Sequence, residues 1–302
     1  MKKSAFVAIV GRPSTGKSTL LNALCNAKVA IVSPVPQTTR NSIRGIVNRE
    51  QGQLVFVDTP GIHISEKKIN CRLKAAARRT IGESDLILYL LDASRSPGDE
   101  ESAVVEILNT LPQDMLTEKT IAVINKTDLG KADSAAIKNF LSEKIPLISD
   151  KNIFTVSALK KEGLEEVLRC LYTLAPEGHP YYDEECYTDQ DVRFRISEII
   201  REKAMNFLRE EIPHCIYVDI RDIYLEKNNG GNEVLNAFVL ILTERDSQKG
   251  IIIGKGGAML KKIRIAALHD LETIFDWKIK LDIRVKTERD WRHNDKILKK
   301  FV

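Results

Sequence analysis

An apolar run, Phe6 to Val10, leads into Gly11-Arg12-Pro13-Ser14-Thr15-Gly16-Lys17-Ser18-Thr19 and then into the helix-forming stretch Leu20 to Leu24. Gly-x4-Gly-Lys-Ser between a buried strand and a helix is the phosphate-binding P-loop pattern, and it constrains the chain more than any other feature. The glycines let successive backbone N–H groups turn toward phosphate oxygens with no Cβ in the way. The helix N-terminus adds its partial positive charge. Lys17 supplies a full charge for the β- and γ-phosphates, and the Ser18 hydroxyl is the expected Mg²⁺ ligand. The stretch predicts a nucleotide site.

Downstream, the proline-broken segment Pro34 to Arg40 is too polar and irregular for the core and should lie over the nucleotide. A threonine there, Thr39, can complete the metal's coordination. Strands are expected over Ile43 to Arg49 and Gln53 to Val57, the second ending in Asp58-Thr59-Pro60-Gly61. An aspartate at the end of a buried strand beside a P-loop is placed to hold the Mg²⁺ hydration shell, and Gly61 lets its N–H approach a γ-phosphate. Ile62 and His63 follow; a loop histidine beside an apolar residue reads as surface polar. Lys17, Thr39 and Gly61 are the candidate catalytic residues.

Fully apolar strands at Leu86 to Asp92 and Thr120 to Ile124 alternate with amphipathic helices, the pattern of a parallel sheet covered on both faces. Ligands on such sheets bind at the C-terminal strand edge. Asn125-Lys126-Thr127-Asp128 falls there. The Asp128 carboxylate can accept two hydrogen bonds from guanine that adenine cannot give, which strongly discriminates the two bases. Asn125 can brace the loop, the Lys126 stem can lie along the base, and Ser157-Ala158-Leu159 ends the strand Ile153 to Val156 in a turn whose N–H can reach guanine O6. GTP or GDP with Mg²⁺ is the expected cofactor set.

The chain is 302 residues long, enough for about two domains. Leu174 to Pro180 holds two prolines and a glycine and marks a boundary. The expected division is 1–175, a linker at 176–190, and 191–302. The second part reads helix, strand, strand, then a helix from Ala258 and a last strand near Lys278. Residues 245–302 carry 15 Lys and Arg against 8 Asp and Glu, so positive charge is concentrated at this end. Between Ser247 and His269 there are five cations and no carboxylate. Inside that window Ile253-Gly254-Lys255-Gly256-Gly257 matches the G-x-x-G loop of KH domains, with Lys261 and Lys262 one helical turn on. These residues are the expected RNA contacts, and the apolar residues before the loop are expected to floor the bases. The cysteines, five and widely spaced, suit a reducing cytoplasm better than disulfides or zinc. No apolar run approaches the roughly 18 residues of a membrane span.

Residues 5–175 resemble a Ras-type GTPase domain of the translation-factor-related group. Gln37-Thr38-Thr39-Arg40 with the DTPG motif narrows this to the bacterial GTPases that include the Era, EngA and MnmE families. The order of both halves resembles the Era family, since EngA has two GTPase domains and MnmE sits in a larger helical chain. The resemblance implies an α/β P-loop GTPase domain, with a mixed, mostly parallel sheet and helices on both faces, followed by an α+β type II KH domain. It implies slow GTP hydrolysis, binding near the 3′ end of 16S ribosomal RNA, a role in 30S subunit assembly as a cytoplasmic monomer, and peripheral membrane association in some members. Two positions depart from relatives: Ile62 stands where Ras has its water-orienting glutamine, and Ser14 where the subgroup usually has asparagine. The rivals are a constitutive RNA-binding assembly factor with a structural nucleotide site, and an ATPase.

Overall fold

The computed structural model describes residues 2–35, 38–59, 61, 68–227, 230–289 and 291. The chain forms two compact units, Met1–Ala30 with Thr39–Asp189, and Ile31–Thr38 with Gln190–Phe301.

The first unit begins with β1 (Lys3–Val10), whose end turns through the P-loop into α1 (Lys17–Cys25). Then come β2 (Ile43–Arg49), β3 (Gly52–Asp58), α2 (Lys68–Glu83), β4 (Leu86–Asp92), α3 (Asp99–Leu108), α4 (Gln113–Glu118), β5 (Thr120–Asn125), α5 (Ser134–Lys144), β6 (Ile153–Thr155) and α6 (Leu164–Leu174). The sheet order is β2-β3-β1-β4-β5-β6, with only β2 antiparallel to its neighbour. Every residue of β3, β4 and β5 is buried, as strands covered on both faces must be. One core cluster joins Val10, Tyr89, Leu91 and Ile124 of the sheet to Val104 and Leu108 of α3 and to Ile137 and Leu141 of α5. Asp133 starts α5 by accepting from the Ala136 N–H at 2.9 Å, a direct use of its short polar side chain.

The stretch expected as a linker, 176–190, is built into this unit as far as Asp189. Buried Gln53 of β3 accepts from the backbone N–H groups of Tyr181 and Tyr182 and donates to the Tyr182 carbonyl. Ile46 N–H reaches the Tyr187 carbonyl at 2.9 Å, and Arg44 pairs with Asp189. Polar side chains on the edge of the sheet satisfy this irregular backbone, so it is fixed without regular structure.

The second unit holds α7 (Val192–Phe207), β7 (Tyr217–Lys227), β8 (Glu233–Thr243), α8 (Asp246–Ile253), α9 (Ala258–Ile274) and β9 (Lys278–Thr287). Asp191 caps α7 by accepting from Phe194 N–H at 2.7 Å. The sheet runs β7-β8-β9, antiparallel then parallel. β9 alternates between exposed and buried along Lys278 to Ile283, and its inward Ile279, Leu281 and Ile283 meet Ile196 and Ile200 of α7 and Ile263, Ala267 and Leu271 of α9 in one core. The helix α8 is not apparent in the sequence reading. The run Ile251-Ile252-Ile253 is read only as apolar residues that floor the bases, yet Gln248 accepts from the N–H groups of Glu244 and Arg245 and starts a helix there. Residues 31–38 also belong to this unit. Glu202 accepts the Val32 N–H at 2.8 Å, Arg201 donates to the Thr38 carbonyl at 2.6 Å, and Val35 packs on the core. Among the described residues no helix is long and apolar enough to cross a membrane.

Candidate nucleotide site and RNA loop

The P-loop wraps the end of β1. Gly16 precedes α1 in the left-handed region (φ +95°), and a Cβ there would lie 2.5 Å from the Asn125 amide nitrogen. Gly61 is equally confined, since its Cβ would meet Pro13 at 2.9 Å. Its backbone thus lies directly on the phosphate loop. Lys17 is buried and donates to the carbonyls of Gly11 (3.0 Å) and Arg12 (2.7 Å). Burial lowers its pKa from 10.5 to about 8, against the opposing pull of Asp58. For Asp58 burial acts the other way and raises the carboxyl, while Lys17, Ser18 and Thr39 oppose it.

The three expected metal ligands converge. Ser18 Oγ donates to Asp58 Oδ2 at 2.7 Å, Thr39 Oγ1 donates to the same oxygen at 3.2 Å, and the two hydroxyls are 3.1 Å apart. The second oxygen, Asp58 Oδ1, is buried without a hydrogen-bond partner. Octahedral Mg²⁺ with oxygens at about 2.1 Å places neighbouring ligands about 3 Å apart, so three hard oxygens at this spacing beside an orphaned carboxylate oxygen fit that ion or its water shell. Mg²⁺ would supply neutralisation of charge on the phosphates.

The base loop is tied to the phosphate loop. Asn125, 2% exposed, donates to the Thr15 carbonyl at 2.9 Å and accepts from Ala158 N–H at 3.0 Å. Within the turn expected to offer an N–H to guanine O6, that of Ala158 braces the loop by donating to Asn125. Ser157 Oγ donates to Asp128 Oδ1 at 2.7 Å, which leaves the other carboxylate oxygen of Asp128 for an incoming donor. Lys126 stands in left-handed backbone (φ +66°) and its ammonium reaches Asp92 Oδ2 at 2.7 Å. Leu159 is 75% exposed at the rim.

Other candidates turn out differently. The Arg12 side chain turns from the loop into the protein, donating to Asp92 at 3.0 Å and pairing with Glu101. The Thr59 hydroxyl donates to the Ile9 carbonyl, and that of Thr15 to the Arg12 carbonyl, so both hydroxyls hold the backbone. Ser14 is exposed at φ +62° and Thr19 half-buried on α1. Pro60 and Ile62 lie outside the described residues. The sequence reading missed Asp92. Burial pushes its pKa up, but hydrogen bonds from Lys126 and Ser94 outweigh that and hold it below the ordinary carboxylate value. A lone aspartate closing a strand gives no signal of its own.

In the second unit Gly254, Gly256 and Gly257 all have left-handed φ, at +72°, +59° and +80°. A Cβ on Gly254 would strike Met259, whereas Gly256 and Gly257 face open space. These last two therefore present bare backbone beside exposed Lys255 and Lys261. Lys262 instead lies 4.2 Å from the centre of the Phe207 ring. The expected floor is only part of the picture: Ile252 is core, Ile253 half-buried, and the exposed aliphatics are Ile251 and Ile265.

Residues 6–126 match a family described as 50S ribosome-binding GTPase, and residues 211–292 match the KH domain family. GTPase Era of Treponema denticola is 48% identical over 299 residues, covering 99% of both chains. The chain belongs to the Era family of GTPases. Two solved Era structures superpose over nearly the whole chain, each at 34% identity and a TM-score of 0.90. One, covering 99% of this chain and 98% of its own, is a single-substitution variant of Aquifex aeolicus Era bound to GDP·AlF4⁻. The other, covering 100% and 99%, is Era with MgGDPNP and nucleotides 1506–1542 of 16S ribosomal RNA. The α/β GTPase fold and the C-terminal KH fold are thus those of Era proteins.

Proposed function

We propose that this chain binds and hydrolyses GTP with Mg²⁺ and uses the nucleotide state to control its grip on 16S ribosomal RNA near the 3′ end, during assembly of the 30S subunit. The observation that carries the reading is the convergence of Ser18, Thr39 and Asp58 on one point beside Lys17 and Gly61. Ser18, Thr39 and Asp58 would hold the metal, Lys17 and the P-loop amides the phosphates, and Asp128 the guanine edge. Gly256 and Gly257 would let the RNA backbone pass close while Lys255 and Lys261 meet its phosphates. Era with MgGDPNP and 16S rRNA nucleotides supports the RNA assignment by likeness. In this reading the protein works as a cytoplasmic monomer, and any membrane contact is peripheral.

Control by nucleotide draws support from the chain's path. Residues 31–38 are held in the second unit by Arg201 and Glu202, and the next residue, Thr39, stands beside Ser18 and Asp58 in the first. A metal and a γ-phosphate that fix Thr39 therefore act one peptide bond from a segment anchored in the RNA-binding unit. The test is RNA affinity for a 16S 3′-end oligonucleotide with GDPNP, with GDP and without nucleotide. Equal affinities in all three overturn control. Single-turnover hydrolysis by wild type and Lys17→Ala separates a GTPase from a structural nucleotide site, which releases no lysine-dependent phosphate.

A further inference from the structure

β4 lies between β1, which launches the P-loop, and β5, which launches the base loop. Its last residue, Asp92, pairs in register with Asn125 of β5 and is 4% exposed. One oxygen of this carboxylate, Oδ1, accepts from the Ser94 N–H at 2.9 Å and the Ser94 hydroxyl at 2.6 Å, which fixes its plane. The other, Oδ2, accepts from Arg12 at 3.0 Å and from Lys126 at 2.7 Å. Arg12 is 2% exposed and is shared with Glu101 of α3 and the Pro13 carbonyl. Two cations and two carboxylates thus form one chain of contacts, Lys126, Asp92, Arg12 and Glu101, that runs from base loop to phosphate loop.

We propose that Asp92 is a positioning residue for the nucleotide: by holding the Lys126 ammonium on the oxygen that also holds Arg12, it makes the base loop and the phosphate loop a single preformed cradle. The proposal rests on the guanine-nucleotide reading of the site. Lysine is otherwise the most mobile of partners, a flexible stem with a compact, strongly hydrated charge. Anchored at its tip and set by left-handed backbone at its root, the Lys126 stem is already laid out where a base would rest. Free in solvent, it would have to be ordered each time a nucleotide bound. The plainer role for Asp92, a counter-ion for buried Arg12, accounts for one of its two cation contacts and leaves the contact with Lys126 unexplained.

The test is a double-mutant cycle on nucleotide affinity in the full chain, with Asp92→Asn, Lys126→Met and both together, using fluorescent GDP and GDPNP. Having to order a freed lysine side chain at each binding event is worth up to about tenfold in affinity. Each single variant should therefore weaken GDP and GDPNP by about the same tenfold, since the γ-phosphate is not involved. The double variant should be no weaker than the worse single. In steady-state hydrolysis KM should rise by the same factor with kcat within about twofold of wild type. Wild-type affinity in Asp92→Asn, or a loss in the double equal to the product of the singles, overturns the proposal. If Asp92→Asn does not fold because Arg12 lacks its partner, the cycle is run in an Arg12→Gln background, where no buried guanidinium needs Asp92 and the same non-additivity is expected; additivity there overturns it equally. Failure of the wild type to bind any guanine nucleotide would instead bring down the underlying reading of the site.

Discussion

Replacing Gly16 by alanine should damage the first unit through two separable effects. The first is torsional: a residue with a Cβ at φ +95° and ψ +23° sits in left-handed space at about 1–2 kcal/mol. The second is steric and larger. The new methyl would lie 2.5 Å from Asn125 Nδ2, and that amide has nowhere to go without giving up its bonds to the Thr15 carbonyl and the Ala158 N–H. Two net hydrogen bonds amount to about 2 kcal/mol, and a buried carbonyl or N–H left unpaired adds 1 or more. The sum is about 4–5 kcal/mol. For a unit of this size that lowers the melting temperature by about 8–20 °C. Calorimetry of the full chain reads it on the transition that GDP shifts upward, which identifies the nucleotide-binding unit. The decisive comparison is Gly16→Ala made in Asn125→Ala, where the obstacle has been removed and only the torsional 1–2 kcal/mol should remain. Equal losses in the two backgrounds would refute the reasoning, because the Asn125 amide would then not be what the methyl meets.

Asp128→Asn removes the acceptor for two guanine donors, so GDP affinity should fall by about two orders of magnitude while xanthosine diphosphate, with a carbonyl in place of the amine, gains; unchanged GDP affinity in a competition titration contradicts the base assignment. Burial lowers Lys17 to about 8, and bound phosphates favour its charged form, so nucleotide binding should take up a proton above that pH. The dissociation constant for GDP should be flat below about pH 7.5 and rise up to tenfold per unit above pH 8, a dependence that Lys17→Met lacks; titration calorimetry in buffers of different ionisation enthalpy counts the proton, and no uptake at pH 9 rejects the linkage. Burial pushes the Cys25 thiol up to about 12, so its alkylation by iodoacetamide at pH 8.5 should be about a thousandfold slower than that of an ordinary exposed thiol until denaturant is added, as mass spectrometry of the peptides will show.

What could be read from the sequence is what depends on neighbours along the chain. The P-loop is one: Gly11 to Gly16 lies between a strand and the helix that Lys17 opens, so its conformation and its chemistry are local. The G-x-x-G bend is another, since three left-handed glycines within four residues leave few alternatives. Gly250 next to three isoleucines misleads, because the local bonds to Gln248 that start α8 follow an arginine at the N-cap, which is not one of the residues that ordinarily announce a helix.

Arg12 shows why the remainder was hidden. At the first variable position of a phosphate loop, an arginine invites the reading that its charge faces phosphate. In the fold two carboxylates, one 80 residues away and one 89, draw it inward. Turning it outward would take the cation from buried Glu101 and one of two cations from buried Asp92, and a buried carboxylate that loses its cation is disfavoured by several kcal/mol, more than one solvent-screened phosphate contact returns. The direction of Arg12 is therefore decided by which distant strand and helix end beside it. The same argument predicts that neutralising both carboxylates, in Asp92→Asn with Glu101→Gln, would release Arg12 toward the bound phosphates, so that the variant's nucleotide affinity would become more salt-dependent than that of the wild type.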